Sequence, residues 1–279
     1  MKYGLYLPNY GTEHSALALA GLAQEAEAHG WDGFFIWDHI HVSKSLRAPV
    51  LDPWVTLTAV AMSTSRIHLG TTVTPLARRR PWKLARETAT LDQLSRGRLI
   101  LTVGLGHPPE AEFSHFGEDP NPKIHAEKLD EGLDILTGLW SGKPFSYQGK
   151  HYQVEKTVFL PPPFQTPRIP IWVGGFWPNK PPFRRAACYD GVFPLKAGGG
   201  MKRNDLEDIL AYIQQYRTST TPFDLVMMGY TPGDNPLKAR KIITPYQQGG
   251  LTWWLESLFR GHNSIEAMRE RICQGPPQV

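Results

Sequence analysis

Short apolar segments alternate with helical segments eight times along this chain, which limits the available folds more than any other feature. The predicted strands cover residues 3–7, 33–37, 67–73, 98–103, 169–173, 191–194, 223–229 and 251–255. The predicted helices cover residues 13–29, 53–63, 81–96, 123–140, 180–188, 203–217, 235–247 and 264–272. Short continuous apolar runs bounded by Gly and Pro are typical of strands buried on both faces of a parallel sheet. Eight such repeats predict a closed (β/α)8 barrel.

We predict one α/β domain over residues 1–279, a compact (β/α)8 TIM barrel with only a short segment between its seventh strand and Asn235. Residues 141–169 form an irregular excursion, with a hairpin predicted around residues 147–150. An open doubly wound sheet is the alternative. The first strand is not followed by the GxGxxG turn of dinucleotide-binding sheets, which weakens that alternative.

Composition excludes several classes of protein. A charged fraction of 20% and a hydrophobic fraction of 41% suit a globular chain, and the net charge of +4 is mild. No basic stripe with interleaved aromatic residues predicts nucleic-acid binding, and no apolar run approaches membrane-spanning length. Cys188 and Cys273 are far apart, and Pro8 interrupts the N-terminal apolar run too early for a signal peptide. We therefore expect reduced thiols and a cytoplasmic location.

The segment from Ile67 to Gly106 reads as strand, helix, strand, which predicts two parallel strands joined by a right-handed crossover. Both strands then end at the same edge of the sheet, at Thr72-Val73-Thr74 and at Gly104 to Gly106. In a barrel this edge is the C-terminal mouth, where the active sites of this fold lie.

Asp38 and His39 follow the second predicted strand and would lie at the same mouth. An imidazole there can take or give a proton near neutral pH, and an adjacent carboxylate can orient it or alter its charge. The alternative is that His39 caps a loop and Asp38 caps a helix. His39 and His41 also have the spacing of a metal site, but the later strand ends supply no further histidine, so we predict no metal.

Glycines follow several of the predicted strands. They are Gly104 and Gly106, Gly174 and Gly175, and Gly198 to Gly200, with Lys196 beside the last group. Each could be ordinary turn chemistry, but together they suggest a backbone approached closely by a flat or phosphorylated ligand. The basic triplet Arg78 to Arg80 is interpreted as a solvated loop, with contact to an acidic ligand as the alternative.

Several motifs stand in order along nearly the whole chain. They include Trp37-Asp38-His39, Arg66-Ile67-His68-Leu69-Gly70-Thr71, Gly97-Arg98-Leu99 with Gly104-Leu105-Gly106, Pro170-Ile171-Trp172-Val173-Gly174-Gly175 and Cys188-Tyr189-Asp190-Gly191. As a set they resemble the bacterial luciferase-like family. That resemblance implies a (β/α)8 barrel that uses FMN or, in one branch, the deazaflavin F420.

The resemblance also implies roles for residues at the strand ends. It places a bulge with a non-proline cis peptide at Thr72–Val73, against the cofactor ring. His39 carries over as the catalytic acid or base, with Asp38 adjusting it. Four glycines carry over as cofactor contacts, namely Gly104, Gly106, Gly174 and Gly175, and Lys196 resembles a phosphate ligand less closely.

The favoured hypothesis is a two-component monooxygenase, in which a separate flavin reductase supplies reduced FMN and the enzyme uses oxygen on a small organic substrate. The alternative is hydride transfer with F420 and no oxygen, in which Lys196 would meet the acidic tail of that cofactor. A third possibility, suggested by the short segment after the seventh strand, is a flavin-binding protein without turnover. We also expect a homodimer, from the habit of the family.

Overall fold

The computed structural model describes residues 1–43, 48–198, 200–259 and 264–278. Within these residues, eight parallel strands close into a barrel in the order β1-β10-β9-β8-β7-β4-β3-β2. The barrel strands are β1 (Lys2–Leu7), β2 (Gly33–Ile36), β3 (His68–Pro75), β4 (Leu99–Gly104), β7 (Ile171–Trp177), β8 (Gly191–Lys196), β9 (Asp224–Gly229) and β10 (Trp253–Ser257). The predicted (β/α)8 barrel is confirmed.

Helices surround the barrel. They are α1 (Ala16–Ala28), α2 (Pro53–Ser63), α3 (Pro81–Ser95), α5 (Pro122–Trp140), α6 (Lys180–Ala186), α7 (Arg203–Gln214), α8 (Pro236–Gln248) and α9 (Ile265–Cys273), with the short α4 (Pro109–Glu112) in the loop after β4. Local sequence sets their ends. The carboxylate of Asp52 accepts hydrogen bonds from the N–H groups of Trp54 and Val55 at 2.9 Å, and Pro53 occupies the first position of α2.

The interior of the barrel is filled largely by aromatic side chains. It contains Tyr6, Phe35, Ile100, Trp172, Phe193, Val226, Trp253 and Leu255. The rings of Trp172 and Trp253 pack edge to face with their centroids 5.4 Å apart. Each of these large buried side chains contributes roughly 1.5–3 kcal/mol through burial. Because this layer fills the barrel, space for a ligand remains at the mouth.

The excursion between α5 and β7 contains the predicted hairpin. Strands β5 (Phe145–Gln148) and β6 (Gln153–Thr157) pair antiparallel, apart from the barrel sheet. Glu131 of α5 fixes the connection between the two strands, because its carboxylate accepts from the backbone N–H groups of Lys150, His151 and Tyr152.

Several barrel strands continue past the ends that the sequence predicts. Among them, β3 continues to Pro75, β7 continues through Gly174 and Gly175 to Trp177, and β8 continues to Lys196. Gly174 and Gly175 pair with Phe193 and Pro194 of β8. The two glycines were interpreted as a turn that ends the strand, whereas this pairing keeps them extended. No helix in the described part of the chain is long and apolar enough to cross a membrane.

Candidate functional site

A cavity of about 370 Å³ opens at the C-terminal ends of the barrel strands. Its floor includes Tyr6 and Phe193, the uppermost rings of the barrel interior. The volume lies within the range of small-molecule sites in proteins. Eight of the nine residues predicted for the site line this cavity, namely Asp38, His39, Thr72, Val73, Gly104, Gly106, Gly174 and Gly175.

The ninth residue, Lys196, is engaged elsewhere. Its ammonium Nζ lies 2.7 and 2.8 Å from the two carboxylate oxygens of Asp205 in α7. Asp205 also accepts from the backbone N–H of Lys202, which completes the cap of that helix. The expected contact of Lys196 with a phosphate or with the acidic tail of F420 therefore competes with a structural ion pair. Of the glycines after Lys196, Gly199 lies outside the described residues.

The bulge in β3 lies where the family resemblance places it. Thr71 pairs with Leu101 and Thr74 with Val103, so Thr72 and Val73 have no paired partner on β4. The peptide bond Thr72–Val73 is cis. The bulge brings Val73 to the cavity, where its side chain packs over Gly104 of β4 and Gly174 of β7.

The structure shows why glycine occupies these positions, which the sequence alone did not reveal. A Cβ atom at Gly104 would lie 2.8 Å from Cγ2 of Val73, and one at Gly174 would lie 2.6 Å from Cγ1 of Val73. A Cβ atom at Gly175 would lie 2.2 Å from Cβ of Pro182. Side chains of the protein, rather than a ligand, therefore exclude larger residues at these three positions. Gly106 has φ +90, a conformation that favours glycine.

Asp38 and His39 lie side by side at the mouth, but their side chains have different partners. Asp38 is buried, and its Oδ1 lies 2.5 Å from Nη2 of Arg78 and 2.7 Å from Nη2 of Arg79. The imidazole Nδ1 of His39 lies 2.5 Å from Oε1 of Glu112. The carboxylate beside the imidazole is thus Glu112 rather than Asp38, which corrects the role expected for Asp38.

Asp38, Glu112, Arg78, Arg79 and His39 form one charge network, which we call the mouth network. Arg78 connects it, since Nη1 binds Oε2 of Glu112 while Nη2 binds Asp38. The side chains of Asp38 and Glu112 are 0% exposed and that of Arg78 is 7% exposed. Burial by itself would lower the pKa of Arg79, but the charge and hydrogen bond of Asp38, together with the charges of Asp52 and Glu87, outweigh that effect and raise the pKa.

The mouth network corrects the interpretation of two residues of the arginine triplet, whereas Arg80 is exposed as predicted. Arg78 and Arg79 are turned inward to pair with carboxylates of the protein itself, so they are neither a solvated loop nor free to bind an acidic ligand. Asn9 also contributes, because its Nδ2 donates to the carbonyl oxygens of His39 and Leu51 at 2.8 Å. Its Oδ1 accepts from the N–H of His39 at 3.3 Å. Asn9 therefore holds the backbone of His39 on both sides.

Sequence reasoning did not identify Glu112, Arg78 or Asn9 as site residues. Glu112 lies in the loop after β4, 73 positions from the histidine it contacts. The sequence position of Arg78 could have indicated that it belongs to the site, because it follows the end of β3 at the same rim as Asp38.

Imidazole and aromatic rings also line the cavity, through His107, His125 and Phe176. His125 is buried and stacks on Phe113 with ring centroids 3.7 Å apart. Burial lowers the pKa of His125, which favours a neutral ring. His107 lies edge to face with Phe176 at 5.7 Å. In the part of the chain that the structure describes, no cluster of three or more His, Cys, Asp or Glu residues could hold a metal ion.

The cavity suits a planar ligand that also forms hydrogen bonds. Val73, Phe176 and Leu195 provide apolar surface in its wall. Thr72 also lines it, and the buried hydroxyl of Thr72 has no hydrogen-bond partner among the described residues. Buried hydroxyl groups are almost always paired in native proteins, so this one is available to pair with a bound ligand. A flavin or deazaflavin ring has both the flat apolar face and the polar edge that these residues require.

Comparison with known proteins agrees with the family resemblance seen in the sequence. The family model of luciferase-like monooxygenase matches residues 1–212. An F420-dependent glucose-6-phosphate dehydrogenase of Nakamurella multipartita is 34% identical over 163 residues, which cover 57% of this chain and 47% of that protein. In eight curated relatives, including this one, the matched segment spans 44–65% of their own lengths.

Solved structures share the fold over almost the whole chain. The monooxygenase RslO1 from Streptomyces bottropensis has a TM-score of 0.76 at 20% identity, with 98% of this chain and 96% of that chain covered. An F420-dependent secondary alcohol dehydrogenase in complex with an F420-acetone adduct has a TM-score of 0.78 at 17% identity, with 99% of both chains covered. At these identities the likeness concerns the fold.

Proposed function

Because the chain belongs to the luciferase-like monooxygenase family, we propose that it is an oxidoreductase that binds F420 at the barrel mouth and transfers a hydride to or from a small organic substrate. One observation carries this proposal. His39, whose imidazole is bonded to a buried carboxylate, and Val73, which the β3 bulge brings to the mouth, line the same cavity. That arrangement supplies a surface for a flat ring and a proton donor or acceptor beside it.

The residues of the chain have separate tasks in this reaction. The bound cofactor supplies two-electron hydride chemistry. The side chain of Val73 provides apolar surface for the cofactor ring, and the hydroxyl of Thr72 is available to its polar edge. His39 exchanges a proton with a substrate oxygen through Nε2, since Nδ1 is held by Glu112. A substrate therefore reacts if its hydroxyl-bearing or carbonyl carbon lies near the cofactor ring while its oxygen lies near Nε2 of His39.

Two observations favour F420 over reduced FMN. The curated relatives that carry an enzyme name include several F420-dependent glucose-6-phosphate dehydrogenases, at 32–34% identity. In addition, only residues 230–235 separate β9 from α8, so this connection is too short to cover the mouth. Oxygen chemistry on a reduced flavin benefits from a covered, water-excluded site, whereas hydride transfer from F420 proceeds without oxygen.

An FMN-dependent monooxygenase supplied by a separate reductase is the second candidate. The name of the matching family and the fold shared with RslO1 support it. Both candidates use the same cavity and assign the same proton transfer to His39, so the choice of cofactor separates them.

Titration of the purified protein with each cofactor tests the proposal. We expect F420 to bind with a Kd in the micromolar range or below and FMN, oxidised or reduced, to bind at least about tenfold more weakly, a difference of about 1.4 kcal/mol. Quenching of the cofactor fluorescence measures the constants of F420 and oxidised FMN, and quenching of the tryptophan fluorescence of the protein under anaerobic conditions measures that of reduced FMN. Tighter binding of reduced FMN would favour the second candidate, and no binding of either cofactor would contradict both.

A further inference from the structure

We propose that Glu112 is a positioning residue: together with Arg78 it fixes the imidazole of His39 with Nδ1–H donating to the carboxylate, so that Nε2 is left to exchange protons at the cavity. This inference rests on the proposed function for its catalytic consequence. The inferred orientation and tautomer of His39 do not depend on which cofactor binds.

The first support is geometric. Oε1 of Glu112 lies 2.5 Å from Nδ1 of His39, and Oε2 of the same carboxylate is bound by Nη1 of Arg78. Nη2 of that guanidinium also donates to the backbone carbonyl of Asp38 at 3.1 Å, one residue before His39. The guanidinium of Arg78 thus holds the ring of His39 through Glu112 and the preceding backbone carbonyl directly.

The second support is the direction of the hydrogen bonds. Arginine donates only and keeps its positive charge in proteins, so the Glu112 oxygen that it contacts must be an acceptor. Glu112 and Arg78 form an ion pair, and an ionised carboxylate accepts at both of its oxygens, so Oε1 has no proton to offer to the imidazole. Nδ1 of His39 must therefore be the donor, and in the neutral ring Nε2 is then an unprotonated base.

Other charged and aromatic groups lie near His39. Asp38 and Arg79 belong to the mouth network but bind each other rather than the imidazole. The ring of Tyr10 lies 6.4 Å from that of His39, and the ring of Trp37 lies 5.6 Å away, edge to face. Glu112, by contrast, is hydrogen-bonded to the imidazole itself, so it is the residue to substitute.

The substitution Glu112→Gln gives a specific expected result. Glutamine has one side-chain oxygen, and Arg78 can only donate, so the amide oxygen will face Arg78 and the amide NH₂ will face His39. Nδ1 must then accept a hydrogen bond, which moves the proton of the neutral ring to Nε2. The base at the cavity is lost although the shape of the side chain is nearly unchanged.

Nitrogen-15 NMR of the imidazole, recorded on the cofactor-free protein at a pH where the ring is neutral, measures this tautomer. We expect the Nδ1–H form in the unaltered protein and the Nε2–H form in E112Q. The matched control is Glu110→Gln on the same short helix α4, where the side chain is exposed and the tautomer should not change. An Nε2–H form in the unaltered protein would overturn the inference, and this measurement needs no variant to fold.

Turnover provides the catalytic readout. We expect E112Q to lower kcat about 100-fold with KM changed less than about threefold, and to displace the limb of the pH–rate profile that depends on His39. Equal kcat in E112Q and E110Q would overturn the role of Glu112 in turnover. Failure of the proposed function would look different, because neither cofactor would bind while the tautomer result remained as expected.

Discussion

Replacing His39 with glutamine will lower kcat by about 100- to 10,000-fold, the range typical for loss of a positioned general acid or base. Glutamine retains hydrogen-bonding capacity toward Glu112 but cannot change its protonation state near neutral pH. The affinity for the cofactor should change much less, because Val73, Thr72 and the rest of the cavity wall remain in place. Steady-state kinetics and cofactor titration on the same preparation measure the two effects separately.

The control for this variant is His41→Gln. His41 is two positions along the chain, and its ring contacts those of His115 and Phe116 rather than Glu112. We expect kcat of His41→Gln to lie within about threefold of the value for the unaltered protein, because His41 takes no part in the proton transfer assigned to His39. Full activity in His39→Gln would contradict the assignment of His39.

The largest effect on stability is expected from Arg78→Met. This change leaves Asp38 and Glu112, two carboxylates with fully buried side chains, with Arg79 as the remaining arginine of the mouth network. Removing one partner of a buried ion pair costs about 3–5 kcal/mol, and here Glu112 loses its arginine while Asp38 keeps only Arg79. Urea denaturation of the cofactor-free protein measures the change in the free energy of unfolding.

An exposed arginine on α7 provides the comparison. Arg203 pairs with Glu207 one turn away, and both side chains are nearly half exposed, at 44% and 46%. Arg203→Met should therefore cost less than about 1 kcal/mol, as solvent-exposed pairs do. Similar losses in the two variants would show that the mouth network contributes no more to stability than a surface ion pair.

The barrel could be predicted because each of its strands carries a local signal. Segments such as Leu99–Gly104 are buried along their whole length and end in glycine, which makes them visible as short apolar runs. The length of β7 was not visible in the same way. Gly174 and Gly175 have poor strand propensity, and they remain extended because β8 pairs with them.

The site was predictable only where its residues follow strands. Strand order placed His39, Val73 and the glycines at one rim. The partners of His39 depend on long-range contacts, with Glu112 in a loop and Asn9 after β1. The reason for Gly104 and Gly174 was hidden too, because the space they leave is filled by the side chain of Val73, which depends on the bulge in β3.

The most direct test of a cofactor site at the barrel mouth is a crystal structure of the protein with F420 bound. We expect the deazaflavin ring in the 370 Å³ cavity, with one face within about 4 Å of the Val73 side chain, the distance of van der Waals contact. Nε2 of His39 should face the substrate side of the ring, and the hydroxyl of Thr72 should have gained a hydrogen-bond partner. A ring bound elsewhere on the barrel, or out of contact with Val73 and His39, would contradict the proposed site.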